Sequence, residues 1–488
     1  MDKIEFVDVT LRDGHQSLWA ERMTTGMMLP VAERMDRAGF DAIELLSPSH
    51  LGKCVRELRE DPFERIRRVA ERVRKTPLRL NSGGLNVFGS DQPALYQLFW
   101  DLMARNGITE ARISDSWNDP RMWHARASAA ANAGVRPIIN ITYSISPRHT
   151  DEYFVERTRR AVALSPYRLC LKDPGGLLTP ERTRTLVPLM LANAGGVPLE
   201  LHTHCTTGLG PLCCLDAVQL GIRIVNTAIP PLADDASLPS IFNVAHNFRV
   251  LGYRTEVDEE LLRPVAEHFT IVARREGLPI GAPVQYDYAQ YVHQVPGGMI
   301  SNLDHQLREV GAQNRMPEAL QETVQVRADF GYPIMVTPLS QFVGSQAAIN
   351  VIVGERYKNV TDQVIRYALG HFGGEVEELM DPNVRDRILD RPRARELAAI
   401  VRPVLSLEEI RRDLDAEGVS DEELLLRSLV RKEDIEATRA AGPAKEYITD
   451  SDPVVLLVEQ LSRLADTDTI QVSRPGFSVT LRKNASAQ

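Results

Sequence analysis

Across the first half of the chain, short apolar runs alternate with longer stretches of helical periodicity. The apolar runs lie at 4–11, 40–46, 78–83, 110–116, 136–144, 168–173, 198–204 and 224–229. Most are rich in Val, Ile and Leu and show little strict alternation, the pattern of parallel strands covered on both faces. Between them, 24–38, 93–106 and 180–194 carry apolar residues at helical spacing. Thr179 stands as an N-cap ahead of Pro180 and Glu181, and such a side chain accepts from the first free amides of a helix. Gly39, Gly107, Gly134 and Gly195 follow helical runs, where a helix-ending residue with positive φ is expected.

Eight strand–helix units within about 250 residues match the count and size of a (β/α)8 barrel. An open, doubly wound sheet would want a glycine-rich loop after an early strand, and no G-x-G-x-x-G follows any of these runs. Beyond about residue 255 the rhythm changes. A long helix is predicted over 258–276, then a Pro/Gly-rich stretch, then helices at 304–312, 316–329, 338–353, 360–369, 383–399, 406–416 and 420–440. The expected fold class is therefore α/β. A TIM barrel occupies 1–300, a helical domain 301–470, and a short strand with a flexible tail 471–488.

Composition narrows the function classes. There are 57 Lys+Arg against 66 Asp+Glu, a net charge of −9, which argues against electrostatic nucleic-acid binding. Charges interrupt every apolar stretch before a membrane-spanning length of about 18 residues. The opening MDKIEFVDVTLRDG reads as a strand with no signal-peptide core. Five cysteines without a C-x-x-C pair suit reduced thiols and a cytoplasmic protein.

In a barrel of this kind, polar residues at the C-terminal ends of the strands point into the site. Strand 1 ends in Arg12, Asp13, His15 and Gln16; strand 4 offers Arg112 and Asp115; strand 6 ends in Lys172 and Asp173; strand 7 ends in His202 and His204. Two histidines two apart on a strand share a face and can grip one ion, and Asp13 adds a hard oxygen. Two imidazoles with one carboxylate form a set for catalytic zinc or another divalent metal. For Lys172 the residues leave two readings open: an ion pair with Asp173, or conversion by CO2 to an anionic carbamate. Arg12 and Arg112 are candidates for holding a substrate carboxylate through a bidentate fork, with an ion pair to Glu44 or Asp115 as the alternative for Arg112. Gln16 could orient an oxo or carboxylate oxygen. His15 reads as a structural histidine or one that supports the ligands from behind, with a general base as the alternative, and His124, His149 and His371 have no ligand spacing.

These residues fall in recognisable motifs. D-V-T-L-R-D-G-H-Q-S (8–17) resembles the signature of the biotin-dependent carboxyltransferases, and further segments follow in the same order. They are A-R-I-S-D-S-W-N-D (111–119), L-K-D-P-G-G-L-L-T-P (171–180), L-H-T-H-C-T-T-G-L (201–209), H-Q-V-P-G-G-M-I-S-N-L (293–303), V-T-P-L-S-Q-F-V-G-S-Q-A (336–347) and G-E-R-Y-K (354–358). The family comprises the carboxyltransferase domain of pyruvate carboxylase, the oxaloacetate decarboxylase α subunit and the pyruvate-side subunit of transcarboxylase. The resemblance implies a metal-bearing barrel, usually a homodimer. It implies metal ligands at Asp13, a carbamylated Lys172, His202 and His204, and substrate contacts at Gln16 and Arg112. Zinc is the first expectation, with manganese, cobalt or magnesium as alternatives.

Three segments depart from the family pattern. Ser47-Pro48-Ser49-His50-Leu51-Gly52 replaces a Gly-Gly-Ala-Thr-Phe-Asp stretch, and Gly83-Gly84-Leu85-Asn86 replaces Arg-Gly-Gln-Asn. Ala236-Ser237-Leu238-Pro239-Ser240 stands where the family has a proton-relaying threonine; alanine can neither accept nor give a proton. Ser237 is the candidate stand-in, so Arg12, Lys172 and Ser237 are expected to take part in the chemistry. No Met-Lys pair is present, so carboxybiotin would sit on a separate carrier protein, loaded by a biotin carboxylase subunit. The expected function is metal-dependent carboxyl transfer or decarboxylation of a 2-oxo acid such as pyruvate or oxaloacetate. The alternatives are a biotin-independent C–C lyase, aldolase or decarboxylase built on the same core, and a weakly active scaffold subunit.

Overall fold

The computed structural model describes residues 2–85, 92–295, 303, 307–308, 311–373, 376–400, 403–442, 444–447, 461, 469–474 and 477–482. Eight parallel strands close into a barrel: β1 Lys3–Asp8, β2 Ala42–Leu46, β3 Leu78–Ser82, β4 Ile108–Ile113, β5 Arg136–Thr142, β6 Arg168–Asp173, β7 Leu199–Thr203 and β8 Ile224–Thr227. The strands pair in chain order, and β1 pairs with both β2 and β8, which closes the ring. A two-residue strand, β9 (Arg254–Thr255), extends the sheet beside β1.

Each strand is followed by helix on the outside, as the 3.6-residue periodicity predicts. The helices start under local control. Thr179 accepts from the amide of Arg182, and Asp61, Thr150 and Asp258 cap other helices in the same way. Trp19, Trp100 and Trp123 are fully buried in the surrounding shell.

The barrel lumen is charged. Arg79 on β3 donates across it to Glu200 on β7 at 2.9 Å and binds Glu110 on β4, also at 2.9 Å. Glu44 on β2 reaches Arg112 on β4 at 2.6 Å. Bonds between non-neighbouring strands must cross the lumen, so these side chains fill the barrel. Paired ions are tolerated there because each charge meets an opposite one; an unpaired ion would not be.

The helical region packs as part of the same compact unit, Met1–Ala444, while Lys445–Gln488 forms a second. A shared core joins the helical region to the barrel: Trp117, just beyond β4, stacks on Tyr367 with ring centroids 6.1 Å apart. Arg327 donates to the Ser144 hydroxyl at 2.9 Å and to the Ile145 carbonyl at 3.0 Å, beyond β5.

Two predicted helices are each broken. The run 383–399 becomes Pro382–Leu389 and Pro392–Ala398, because Arg391 precedes a proline and is extended. The run 420–440 becomes Asp421–Leu429 and Lys432–Ala440, with Val430 extended between them. In the second unit an antiparallel hairpin pairs β10 (Thr469–Arg474) with β11 (Phe477–Arg482), where one strand was expected. The expected helix 304–312 falls largely, and the flexible tail from 483 wholly, outside the described residues.

Candidate active site at the barrel mouth

Strand β1 stops at Asp8, earlier than its apolar run. The chain then makes one wide helical turn, in which the Gly14 amide donates to the Val9 carbonyl five residues back at 3.0 Å. Thr10 anchors this turn. Its hydroxyl donates to Asp8 at 2.6 Å and accepts from the Ile229 amide at 2.8 Å. The turn lies so close to the loop after β8 that a Cβ on Gly14 would sit 2.9 Å from the Leu232 carbonyl oxygen. It projects Arg12 and Asp13 over the mouth.

There Asp13 meets the two histidines of β7. Its Oδ2 lies 3.2 Å from His202 Nε2 and 3.6 Å from His204 Nε2, and the two Nε2 atoms are 3.3 Å apart. All three residues are buried, and among the described residues they are the one set of three or more His, Cys, Asp and Glu side chains close enough to share an ion.

The other side of each ring fixes its tautomer. His204 Nδ1 donates to the Ala236 carbonyl at 2.7 Å, and His202 Nδ1 faces Asn226 Oδ1 at 3.1 Å. Both Nδ1 atoms therefore carry the proton, and both Nε2 lone pairs face each other and a carboxylate oxygen. Burial and the nearby Arg112 guanidinium hold His202 well below its usual range, so it is neutral. Burial opposes the charge on Asp13, but the neighbouring Arg12 guanidinium holds its carboxyl well below the carboxylate range. Two Nε2 atoms and a carboxylate oxygen thus converge on one point, an arrangement that fits a divalent cation, with outer hydrogen bonds aiming the ligands.

Lys172 stands directly opposite His202 in the β6–β7 register. Its ammonium donates to the Ser114 hydroxyl at 3.4 Å, and burial, with help from Arg112 and Arg12, lowers it to about 8. Ser114 is held in turn by Asn140 at 2.6 Å and Asn81 at 3.1 Å. No ion pair joins Lys172 to Asp173. The Asp173 carboxylate accepts from Leu177, Leu178 and Thr203 instead.

The two arginines part company. Arg12 spans the cluster: Nε donates to Glu44, Nη1 to Gln16 Oε1 at 3.2 Å, and Nη2 lies 2.6 Å from Asp13 Oδ2. Gln16 is half-buried at the mouth, with its oxygen taken by Arg12 and its amide nitrogen without a partner among the described residues. Arg112 is fully buried, and its fork is already filled, with Nε and Nη2 donating to Glu44 at 2.6 and 2.8 Å. The bidentate partner expected from a substrate is thus supplied by the protein, because Glu44 and Arg112 occupy the same height in the lumen. Only Nη1 remains, 3.8 Å from Cys170 Sγ.

Ser237 is not brought to the cluster. It is fully buried, and its hydroxyl donates to the Leu232 carbonyl at 2.7 Å, closing a loop. The atom of that loop that reaches the cluster is the neighbouring Ala236 carbonyl, bonded to His204, which no side-chain motif could reveal. Asn226 and Ser114 were also missed, although each is a polar residue interrupting or ending an apolar strand. At the first departure from the family pattern, His50 pairs with His15 through their Nε2 atoms at 3.2 Å, both buried.

Known proteins share this architecture. A conserved carboxylase domain matches residues 291–454. A pyruvate carboxylase subunit of Methanocaldococcus jannaschii is 36% identical over 436 residues, covering 87% of this chain and 76% of that protein. The chain belongs to the biotin-dependent carboxyltransferase family. Another family member, the 2-oxoglutarate carboxylase large subunit of Hydrogenobacter thermophilus, is 34% identical over 76% of this chain and 57% of its own length. Among solved structures, the carboxyl transferase domain of Rhizobium etli pyruvate carboxylase with pyruvate superposes with a TM-score of 0.84. It covers 100% of this chain and 85% of that one at 22% identity, which establishes the common carboxyltransferase barrel.

Proposed function

We propose that this carboxyltransferase moves a carboxyl group between carboxybiotin and a small 2-oxo acid of the pyruvate and oxaloacetate type. The biotin would be held on a separate carrier protein and charged by a biotin carboxylase subunit, and the chain would work as a homodimer. The observation that carries the reading is the convergence of Asp13, His202 and His204 on one point at the mouth. Family membership, with relatives named as pyruvate and 2-oxoglutarate carboxylase subunits, supports the substrate class.

Asp13, His202 and His204 would hold a divalent cation, zinc in the first instance, with Lys172 as a carbamate supplying a fourth anionic ligand. The position of Lys172 opposite His202 supports that assignment. When bound, the cation supplies the positive charge that stabilises the enolate of a 2-oxo acid. The chain's own groups do the rest. Gln16, whose amide nitrogen has no partner among the described residues, donates to the oxo oxygen. Arg12, held by Glu44, adds a fixed positive charge beside it, so little reorganisation is needed as negative charge develops. Arg112 would offer Nη1 to the carboxylate by releasing its contact with Cys170 Sγ.

The test is oxaloacetate decarboxylation, followed with and without free biotin and across a panel of 2-oxo acids. Biotin-stimulated turnover is the expected result. A second reading is favoured by one observation: no hydroxyl stands at 236, and that of Ser237 is committed to Leu232. A metal-dependent lyase or decarboxylase that does not use biotin would then cleave its substrate at the same rate in both arms.

A further inference from the structure

On the flank of the barrel, a groove of about 720 Å³ opens where the turn Cys54–Leu58 meets the C-terminal helices. Five cationic side chains line it. Arg56 and Arg59 come from the barrel side, Arg427 from the helix Asp421–Leu429, and Arg431 and Lys432 from the start of the helix Lys432–Ala440. Asp434 is the one carboxylate among the described lining residues, although the whole chain carries a net charge of −9.

The internal neutralisation is incomplete. Asp434 is shared between Arg59 at 3.2 Å and Arg431 at 3.3 Å, and Lys432 approaches Glu436 only to 3.9 Å. Arg427 is bound by Glu423 at 3.0 Å. Arg56 is exposed and has no anionic partner among the described residues. No side chain caps the helix that begins at Lys432, so the positive end of its dipole adds to the same field. Leu429 and Val430 give the groove an apolar wall.

We propose that this groove binds a phosphate-bearing organic anion, with phosphates on Arg56, Arg59 and Arg431 and an apolar body against Leu429 and Val430. Guanidinium forks match phosphate oxygens in pairs, which explains four arginines among the five cations. The groove has the size of small-molecule sites, about 300–1,000 Å³, and lies at a seam between elements, where such sites concentrate. Arg59 to Asp434 and the Thr438 hydroxyl to the Val55 carbonyl at 3.0 Å already bridge that seam. A ligand spanning the same parts tightens it and raises the melting temperature of the chain.

The experiment is calorimetric titration of the full chain with ATP and, separately, inorganic tripolyphosphate, at low salt and again at physiological salt. Saturable binding near one site per chain is expected. Arg56→Glu and Arg431→Glu should each weaken it roughly tenfold or more, the effect of losing a charged hydrogen bond. Both side chains are exposed, and Arg56→Glu breaks no ion pair among the described residues, so an unchanged melting temperature without ligand confirms folding. Tighter binding of ATP assigns the site to a nucleotide-like ligand, and equal binding to a bare phosphate chain; either upholds the proposal. No saturation at millimolar probe, or equal affinity in the folded double variant, overturns it.

Discussion

At the scale of single residues, the site is built by side chains that constrain one another. His202 and His204 have their Nδ1 protons anchored, so the lone pairs that face Asp13 are fixed before any ion arrives. About one divalent ion per chain is expected by elemental analysis, as for a single three-ligand protein site. His202→Ala should remove most of it while leaving the circular dichroism spectrum unchanged. Full occupancy in that variant would rule out the ligand set. The lumen responds differently. Arg79 is fully buried between Glu110 and Glu200, so Arg79→Ala leaves two carboxylates without their shared cation. A loss of about 3–5 kcal/mol is expected in urea unfolding, the cost of breaking a buried pair by removing one partner. Histidine spacing made the converging imidazoles legible in sequence. The occupant of the Arg112 fork was not, because sequence does not say which carboxylate shares its height in the barrel.

At the scale of elements, the wide turn after β1 decides whether Asp13 reaches the histidines. Its shape depends on Gly14 lying against Leu232, where any Cβ must push a backbone oxygen away. Gly14→Ala should displace the turn and lower metal affinity, with a stability loss of about 1–3 kcal/mol typical of overpacking. Competitive chelator titration alongside urea unfolding separates the two effects, and unchanged metal affinity would show that the turn tolerates the shift. Strand positions were legible to within a few residues because apolar runs must be buried wherever they lie. The end of β1 was not, because the apolar residues continue to Leu11 while the backbone has already left the sheet. Helix breaks at Arg391 and Val430 have the same origin: periodicity continues across a point where local backbone preference stops it.

At the scale of the whole molecule, stability should fall with acid. His149 is buried, with its Nδ1 paired to the Ser146 hydroxyl, and burial together with Arg327 lowers its pKa to about 3. An unfolded histidine titrates near 6.5. Between those values the unfolded chain binds the extra proton, so stability is full above about pH 6.5 and falls as pH drops toward 3, by up to about 1.4 kcal/mol per pH unit from this group. Other buried histidines, His15 and His50 among them, add slope of the same sign, so urea midpoints measured from pH 7 to pH 4.5 should fall at least this steeply, and His149→Gln should remove this group's share. By itself the sequence determined the alternation of strand and helix, the closed barrel and the identity of the side chains that converge at its mouth. Each of these follows from patterns repeated over a few residues, or from side-chain types with few other uses. Tertiary structure alone decided which charges share the lumen, which carbonyl steers His204, and that the helical region joins the barrel in one core. Those are pairings between segments far apart in the chain, and only closing the ring of strands brings them within bonding distance.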